Sequence, residues 1–143
     1  MINSGQLPEL DVVTLYAILR LRSEIFVVEQ ECAFLDLDGR DLEPGTRFIW
    51  ITDGAEIVAS LRLLVEPNGV LRIGRVVVAA NHRRSGHARE LMREALRLAG
   101  DQELVLDSQS YLVGWYAGLG FAITGSNYIE DGIVHTPMKF VGL

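Results

Sequence analysis

One cysteine, one lysine and four prolines are all that the 143 residues hold of those types. The solitary cysteine, Cys32, excludes an internal disulfide and a multi-cysteine metal site, and it suits a reducing compartment. The solitary lysine, Lys139, leaves arginine as the source of nearly all positive charge, which reads as coding bias and not as chemistry. Long apolar runs are missing too. The longest covers about five residues, Val76–Ala80, where a membrane-spanning helix needs roughly 20. Residues 1–10 carry no apolar stretch and the first basic residue is Arg20, so no secretory leader is expected. These absences predict a cytoplasmic protein with no membrane partner. Positive charge is short overall, with 13 basic against 19 acidic residues and a net charge of -6. That deficit argues against nucleic acid as a partner, because neutralising phosphates needs a basic face. It leaves room for a cationic or amine-bearing partner. Repeats, low-complexity segments and Pro/Gly/Ser-rich linkers are absent as well, so a single domain over residues 1–143 is expected.

What is present suits a globular domain. Apolar residues make up 49% of the chain and charged residues 22%, enough for a real core. Residues 11–28 repeat apolar side chains at helical spacing, with Asp11 placed to cap the start. Residues 29–43 follow as an acidic loop or short helix. Three strands are expected at Arg47–Thr52, Glu56–Val65 and Leu71–Ala79, separated by the turn signals Asp53-Gly54 and Pro67-Asn68-Gly69. The run Val76-Val77-Val78 reads as buried on both faces. A helix marked by Ala88, Leu91, Met92, Ala95, Leu96 and Ala99 ends at Gly100. Then come a strand at Glu103–Ser108, a short helix at Tyr111–Leu119 stopped by Gly120, and a hairpin of Phe121–Ile129 and Ile133–Phe140. The strand–helix–strand unit at 71–108 requires a parallel crossover. The expected fold is therefore α/β: a mixed, mostly antiparallel sheet with one parallel crossover and helices on both faces. An exposed edge strand at 133–140 would allow a homodimer.

Between the third strand and its helix lies Asn81-His82-Arg83-Arg84-Ser85-Gly86-His87. A strand that opens through a tight loop into a helix is an anion site, because the first helical N–H groups have no intrahelical partner and the dipole adds positive charge. Gly86 permits close backbone approach, Ala88 is a small neighbour, and Arg83 and Arg84 supply charge; the set suits a pyrophosphate. Neither the P-loop pattern nor the dinucleotide Gly-x-Gly-x-x-Gly is present. The competing reading is a solvated helix start with two surface arginines.

Arg83-x-x-Gly86-x-Ala88 resembles the Arg/Gln-x-x-Gly-x-Gly/Ala motif of the GNAT N-acetyltransferases, and it stands between strand and helix as in that family. Trp115-Tyr116-Ala117-Gly118-Leu119-Gly120-Phe121 resembles the family's aromatic-Tyr-x-x-x-Gly-Phe segment. Leu21–Cys32, Asp36–Asp41 and Tyr128–His135 resemble the ElaA-like subgroup. The resemblance spans about residues 12–140. Ala80 departs from it where proline is frequent, and Ala88 replaces the commoner last glycine.

The resemblance implies acetyl-CoA as acyl donor, with no metal. It implies that backbone groups of Val76 and Val78 pair with the pantetheine arm, with Val77 also a candidate for the strand N–H that polarises the thioester carbonyl. It implies that Arg83, Arg84, Ser85, Gly86, His87 and Ala88 hold the pyrophosphate, that Gln109 bonds the cofactor amide, and that Tyr116 protonates the leaving thiolate. His87 also reads as a helix-start residue with a solvent-facing ring, and Tyr116 as a core tyrosine beside Trp115 and Phe121. For the general base, Glu29, Glu130, Asp131, His135 and a water chain stand as candidates; only His135 has an ordinary pKa near neutrality. Cys32 has no base paired with it by motif and reads as a small apolar filler.

On the acceptor side, Glu29, Glu31, Asp36, Asp38, Asp41 and Glu43 face only Arg40 within residues 29–43. Such a cluster would concentrate cationic amines, or it is simply a solvated loop. The function expected is transfer of an acetyl group to a primary amine, on a small molecule or a peptide, by direct attack. The rivals are a non-catalytic acyl-CoA sensor or partner-binding module on the same fold, and an acyltransferase for a longer acyl thioester.

Overall fold

The computed structural model describes residues 1–143. Asp11 caps the first helix, α1 (Val12–Arg22): its Oδ1 accepts from the Thr14 N–H at 2.7 Å. The helix continues past Arg22 as a π-helical segment, Ser23–Glu29. Segments of that type gather at functional sites, and this one lends Ile25, Phe26 and Glu29 to the wall of the main cavity.

Strands β2 (Arg47–Asp53), β3 (Glu56–Val65) and β4 (Leu71–Val78) form the expected antiparallel meander. The second turn works because Asn68 and Gly69 both take positive φ, +68° and +77°. One face of the meander points Ile49, Ile51, Leu61, Leu63 and Ile73 at α2 (His87–Ala99), which answers with Leu91, Met92, Ala95 and Ala99 on one helical stripe. Leu91 and Met92 are fully buried, each worth about 1.5–3 kcal/mol of transfer free energy. Gly100, at φ +58°, ends α2 and donates its N–H to the Leu96 carbonyl at 3.2 Å. β5 (Leu104–Gln109) runs parallel to β4, and α3 (Val113–Ala117) follows after a 3-10 turn. On the opposite face of the meander, Leu21 of α1 packs against Val77 and Ala79. Helices thus cover both faces of one mixed sheet of eight strands, in the order β1 (Ile2–Gln6), β2, β3, β4, β5 and β8 (Ile133–Phe140), with β6 (Phe121–Ile123) and β7 (Tyr128–Glu130) along the outer edge of β8. No helix is long and apolar enough to cross a membrane.

Three expectations need correction. Ile2–Gln6 forms a first strand, β1, antiparallel to β2. Its sequence, Ile-Asn-Ser-Gly-Gln, has little strand propensity; pairing with β2 makes it a strand, clamped where the Met1 amine donates to the Thr52 carbonyl at 2.8 Å. Residues 121–129 are not one strand but two, β6 (Phe121–Ile123) and β7 (Tyr128–Glu130), both pairing with β8 (Ile133–Phe140). Pro137 accounts for the break. Its carbonyl accepts from the Thr124 N–H at 3.0 Å, but the proline nitrogen on that side has no hydrogen to return, so the ladder lapses over 124–127. Finally, 133–140 is no edge strand: β8 lies between β5 and the β6/β7 pair. The expected dimer edge is therefore already occupied.

Candidate functional site

β4 and β5 pair over only three residues, Leu71–Ile73 with Leu104–Leu106. Beyond them β4 stays on β3 and β5 goes over to β8, so the two strands part. The parting begins at a bulge in β4. Gly74 opposes Arg62 and Val77 opposes Ser60, which leaves Arg75 and Val76 against Leu61 alone, with Arg75 at φ +52°. A left-handed conformation is costly for a side-chain-bearing residue, and several contacts hold this one. Arg75 Nε lies 2.7 Å from Asp36 Oδ1, Nη2 donates to the Asp36 carbonyl at 3.1 Å, and the guanidinium sits 5.4 Å from the centre of the Phe34 ring.

The same contacts overturn the acidic-patch reading of residues 29–43. Arg22, 1% exposed, donates Nε to Asp36 at 3.0 Å and Nη1 to Asp41 at 2.7 Å. Arg62 reaches Asp38 at 2.7 Å and Asp41 at 3.1 Å. Three aspartates therefore face three arginines from α1, β3 and β4, and Glu43 and Glu66 pair with Arg40. Burial pushes Asp41 upward, but hydrogen bonds and charge from Arg22 and Arg62 outweigh it and hold the carboxyl below its ordinary range. The segment is a largely exposed loop but no free acidic surface, since every carboxylate in it except Glu31 is paired with an arginine. It fastens the bulged strand to the first helix.

Parting the strands opens a cavity of about 1200 Å³. Val76, Val77 and Val78 all border it along the β4 edge that has lost β5. Their side chains pack to alternate faces: Val77 under α1, Val76 and Val78 against the main core. Tyr116 lines the same space and is 7% exposed. Its ring meets Trp115 edge-on at 4.9 Å and Phe121 at 6.2 Å, and its hydroxyl makes no hydrogen bond within the protein. Burial pushes the phenol up to about 12, so it stays protonated near neutrality.

At one end of the cavity stands the loop before α2. Arg84 and Gly86 are both left-handed, at φ +65° and +84°. The His82 N–H bonds the Ala79 carbonyl at 2.9 Å and, inside α2, the Glu90 N–H bonds the Gly86 carbonyl at 3.0 Å; between them the backbone N–H groups from Arg83 through Arg89 find no acceptor within the protein. Seven consecutive N–H groups without a protein acceptor at a helix start are of the kind that suits an anion. Arg83 and Ala88 border the cavity. The Arg83 guanidinium forks onto Glu29, with Nη1 donating to Oε1 at 2.6 Å and Nη2 to Oε2. The pairing raises Arg83 and holds Glu29 below the ordinary carboxylate range. Ser85 spends its hydroxyl on the His82 carbonyl. His87 corrects the expectation of a solvent-facing ring: its side chain is 21% exposed and its Nδ1 is buried without a hydrogen-bond partner.

The register puts Gln109, His135 and Tyr128 in one row across β5, β8 and β7, and all three line the cavity. Gln109 Nε2 donates to Gln30 Oε1 at 3.4 Å. His135 Nδ1 lies 2.9 Å from the Ile133 carbonyl. A carbonyl only accepts, so in the neutral ring Nδ1 carries the hydrogen and Nε2 the lone pair. The ring stacks on Tyr128 at 5.6 Å and 19°. Glu130 and Asp131 border the cavity from the β7–β8 turn, where Asp131 takes φ +52° and Gly132 φ +76°. Cys32 is no mere filler: its thiol donates to the Asp131 carbonyl at 3.2 Å and ties the loop after α1 to that turn.

Sequence reasoning missed the arginines that organise this site, Arg22, Arg62 and Arg75, and the ion pair of Arg72 with Asp107 beside the cavity. It also missed Tyr128, whose phenol is pushed up to about 12 by burial and then by the Asp107 charge. The signal was present in part. Asp107 and Gln109 share one face of β5 by the period of two, but only the pairing with β8 shows which face that is.

The match to known proteins covers most of the chain. The family model described as the acetyltransferase (GNAT) domain matches residues 29–141. A UPF0039 protein of Mycobacterium tuberculosis is 43% identical over 134 residues, which is 91% of this chain and 86% of that one. Protein ElaA of Escherichia coli is 37% identical over 136 residues, covering 91% and 89%, and its crystal structure superposes with a TM-score of 0.90 over 97% of both chains. An acyl-CoA N-acyltransferase from Pseudomonas aeruginosa superposes with a TM-score of 0.91 at 34% identity, over 97% of this chain and 98% of that one.

Proposed function

The chain belongs to the GNAT acyltransferase family, and from that premise we propose that it transfers an acetyl group from acetyl-CoA to a primary amine by direct attack. The observation that carries the reading is the run of seven unpartnered N–H groups, Arg83–Arg89, at the end of a cavity bordered by the freed edge of β4. A diphosphate is the ligand such a receptor suits. An amide-bearing arm is what an unpaired strand edge suits, since it supplies the missing ladder bonds. Residues 1–143 act as one catalytic domain in this reading.

Arg83, Arg84, Ser85, Gly86, His87 and Ala88 hold the pyrophosphate, largely through their backbone. Val76 and Val78 pair with the pantetheine arm, Gln109 takes up a cofactor amide, and a β4 N–H at Val76–Val78 polarises the thioester carbonyl. The amine nitrogen attacks that carbonyl carbon. The C–N bond forms, the C=O pair moves onto oxygen, and the strand N–H stabilises the oxyanion. Collapse breaks the C–S bond, and the Tyr116 hydroxyl gives its proton to the departing thiolate. His135 Nε2 takes the amine proton: it has a free lone pair beside the cavity, whereas Glu29 is engaged by Arg83 and lowered in basicity. Glu130 and Asp131 remain nearer the rim, on the exposed turn.

The acceptor is an amine on a small molecule or a peptide. The test is a panel of primary amines offered to the purified protein with acetyl-CoA, following release of free thiol. Turnover with at least one amine is expected. Tight acetyl-CoA binding with no turnover across the panel would favour a non-catalytic acyl-CoA sensor instead.

A further inference from the structure

Glu29 and Arg83 lie 54 residues apart in sequence, yet both guanidinium Nη atoms meet both carboxylate oxygens. Glu29 is the last residue of the π-helical segment on the α1 side of the cavity, and Arg83 is the first residue of the free-donor loop on the other. A carboxylate and a phosphate offer a guanidinium the same two-oxygen fork. The Glu29 carboxylate thus occupies, at Arg83, the chemical position that a cofactor phosphate would take under the reading proposed above. Each side chain is only about two-fifths exposed and both border the cavity. No other side chain accepts from Arg83, and no other donates to Glu29.

We propose that Glu29 is an internal competitor for the diphosphate at Arg83. Binding of an acyl-CoA draws Arg83 off Glu29, and the carboxylate is released, uncompensated, into the wall of the cavity. A partly exposed ion pair is weak enough to be exchanged. The diphosphate has in addition the seven loop N–H groups, which Glu29 does not engage, so the exchange favours the cofactor. The release adds a negative charge to the cavity only once the donor is in place, and an ammonium-bearing acceptor is then attracted in that order.

The inference rests on the loop binding a CoA diphosphate, and its test separates the two. Affinity for CoA is measured by calorimetry at low salt for the native chain, Glu29→Gln, Arg83→Ala and the double variant. Acetyl-pantetheine, which lacks the diphosphate, serves as a second ligand. Glu29→Gln is expected to bind CoA about two- to fivefold more tightly, the range for losing one exposed ion pair. The gain should shrink as salt rises, vanish in the Arg83→Ala background, and be absent for acetyl-pantetheine. Weaker or unchanged CoA binding by Glu29→Gln overturns the competition and leaves the loop reading standing. So does a gain that persists without Arg83. Failure of the native chain to bind CoA at all overturns both.

Discussion

The Arg75 guanidinium stands 2.7 Å from Asp36 Oδ1, and through that contact a loop residue holds the left-handed kink of β4 at φ +52°. Asp36 also receives Arg22 Nε at 3.0 Å, so one carboxylate joins the end of α1 to the point where β4 leaves β5. Replacing it by alanine takes one carboxylate from two arginines, one of them fully buried; Arg22 keeps Asp41, and Arg75 keeps Asp38 and the backbone carbonyl of residue 36. Asp36→Ala is expected to cost about 1.5–3 kcal/mol, the range for hydrogen bonds to charged groups, read as a lower midpoint in urea. A loss under about 1 kcal/mol, the scale of an exposed pair, would show that the network does not fasten the kink.

Acid should attack the same network. Asp38 is pushed up by burial, but the Arg62 bond, the Arg40 N–H and the charges of Arg62 and Arg75 hold it far below the aspartate range; Asp41 is lowered as well. Groups whose folded pKa is depressed contribute stability that is fully present above the unfolded value, near ~3.9. It is lost as pH falls through the folded values. Thermal melting should therefore be flat across neutral pH and fall below about pH 4, and Asp41→Asn should flatten that fall while lowering stability at pH 7.

Tyr116→Phe keeps the edge-on packing with Trp115 and Phe121 and removes only the hydroxyl, which has no protein partner. Under the proposed mechanism kcat drops about 10²-fold, as for loss of a general acid. Acetyl-CoA affinity and melting temperature stay as they were. An unchanged kcat on a true acceptor removes Tyr116 from the chemistry.

Arg83→Ala with Arg84→Ala removes both loop charges while leaving the backbone donors. Weaker acetyl-CoA binding by calorimetry is expected, with the remaining affinity less sensitive to salt. Equal affinity in the double variant would refute the loop as the diphosphate site.

Gly120 tests the fold independently of function. Its φ is +100°, and an added Cβ would lie 2.7 Å from the Phe140 ring and 2.9 Å from the Gly142 carbonyl oxygen. Gly120→Ala should cost more than about 2 kcal/mol, because strain and overlap act together, and the loss would show in chemical denaturation.

The residues of the candidate site were largely legible from the chain alone, and their arrangement was not. Gly86, Arg83 and the helix after them mark a candidate anion site because the features that suggest it are local: φ, charge and unpaired N–H groups within a few residues. The meander was legible from β-branched runs between turn residues, and α2 from the single stripe of Leu91, Met92, Ala95 and Ala99. Ile2–Gln6 escaped because its strand exists only by pairing with β2. The break at 124–127 escaped because it depends on Pro137 across the ladder.

The sequence by itself determined which short-range devices the protein has: its turns, its helix stripes, its loop of free donors, and the family to which they point. Only the tertiary structure decided what the charges do. Asp36, Asp38 and Asp41 look like an acidic surface until Arg22, Arg62 and Arg75 arrive from three other elements. Glu29 looks like a base until Arg83 reaches it from 54 residues away. The physical reason is range. A φ angle or a helical period is fixed by neighbours in the chain, whereas the state of a charge is fixed by whatever the fold brings within a few ångströms of it.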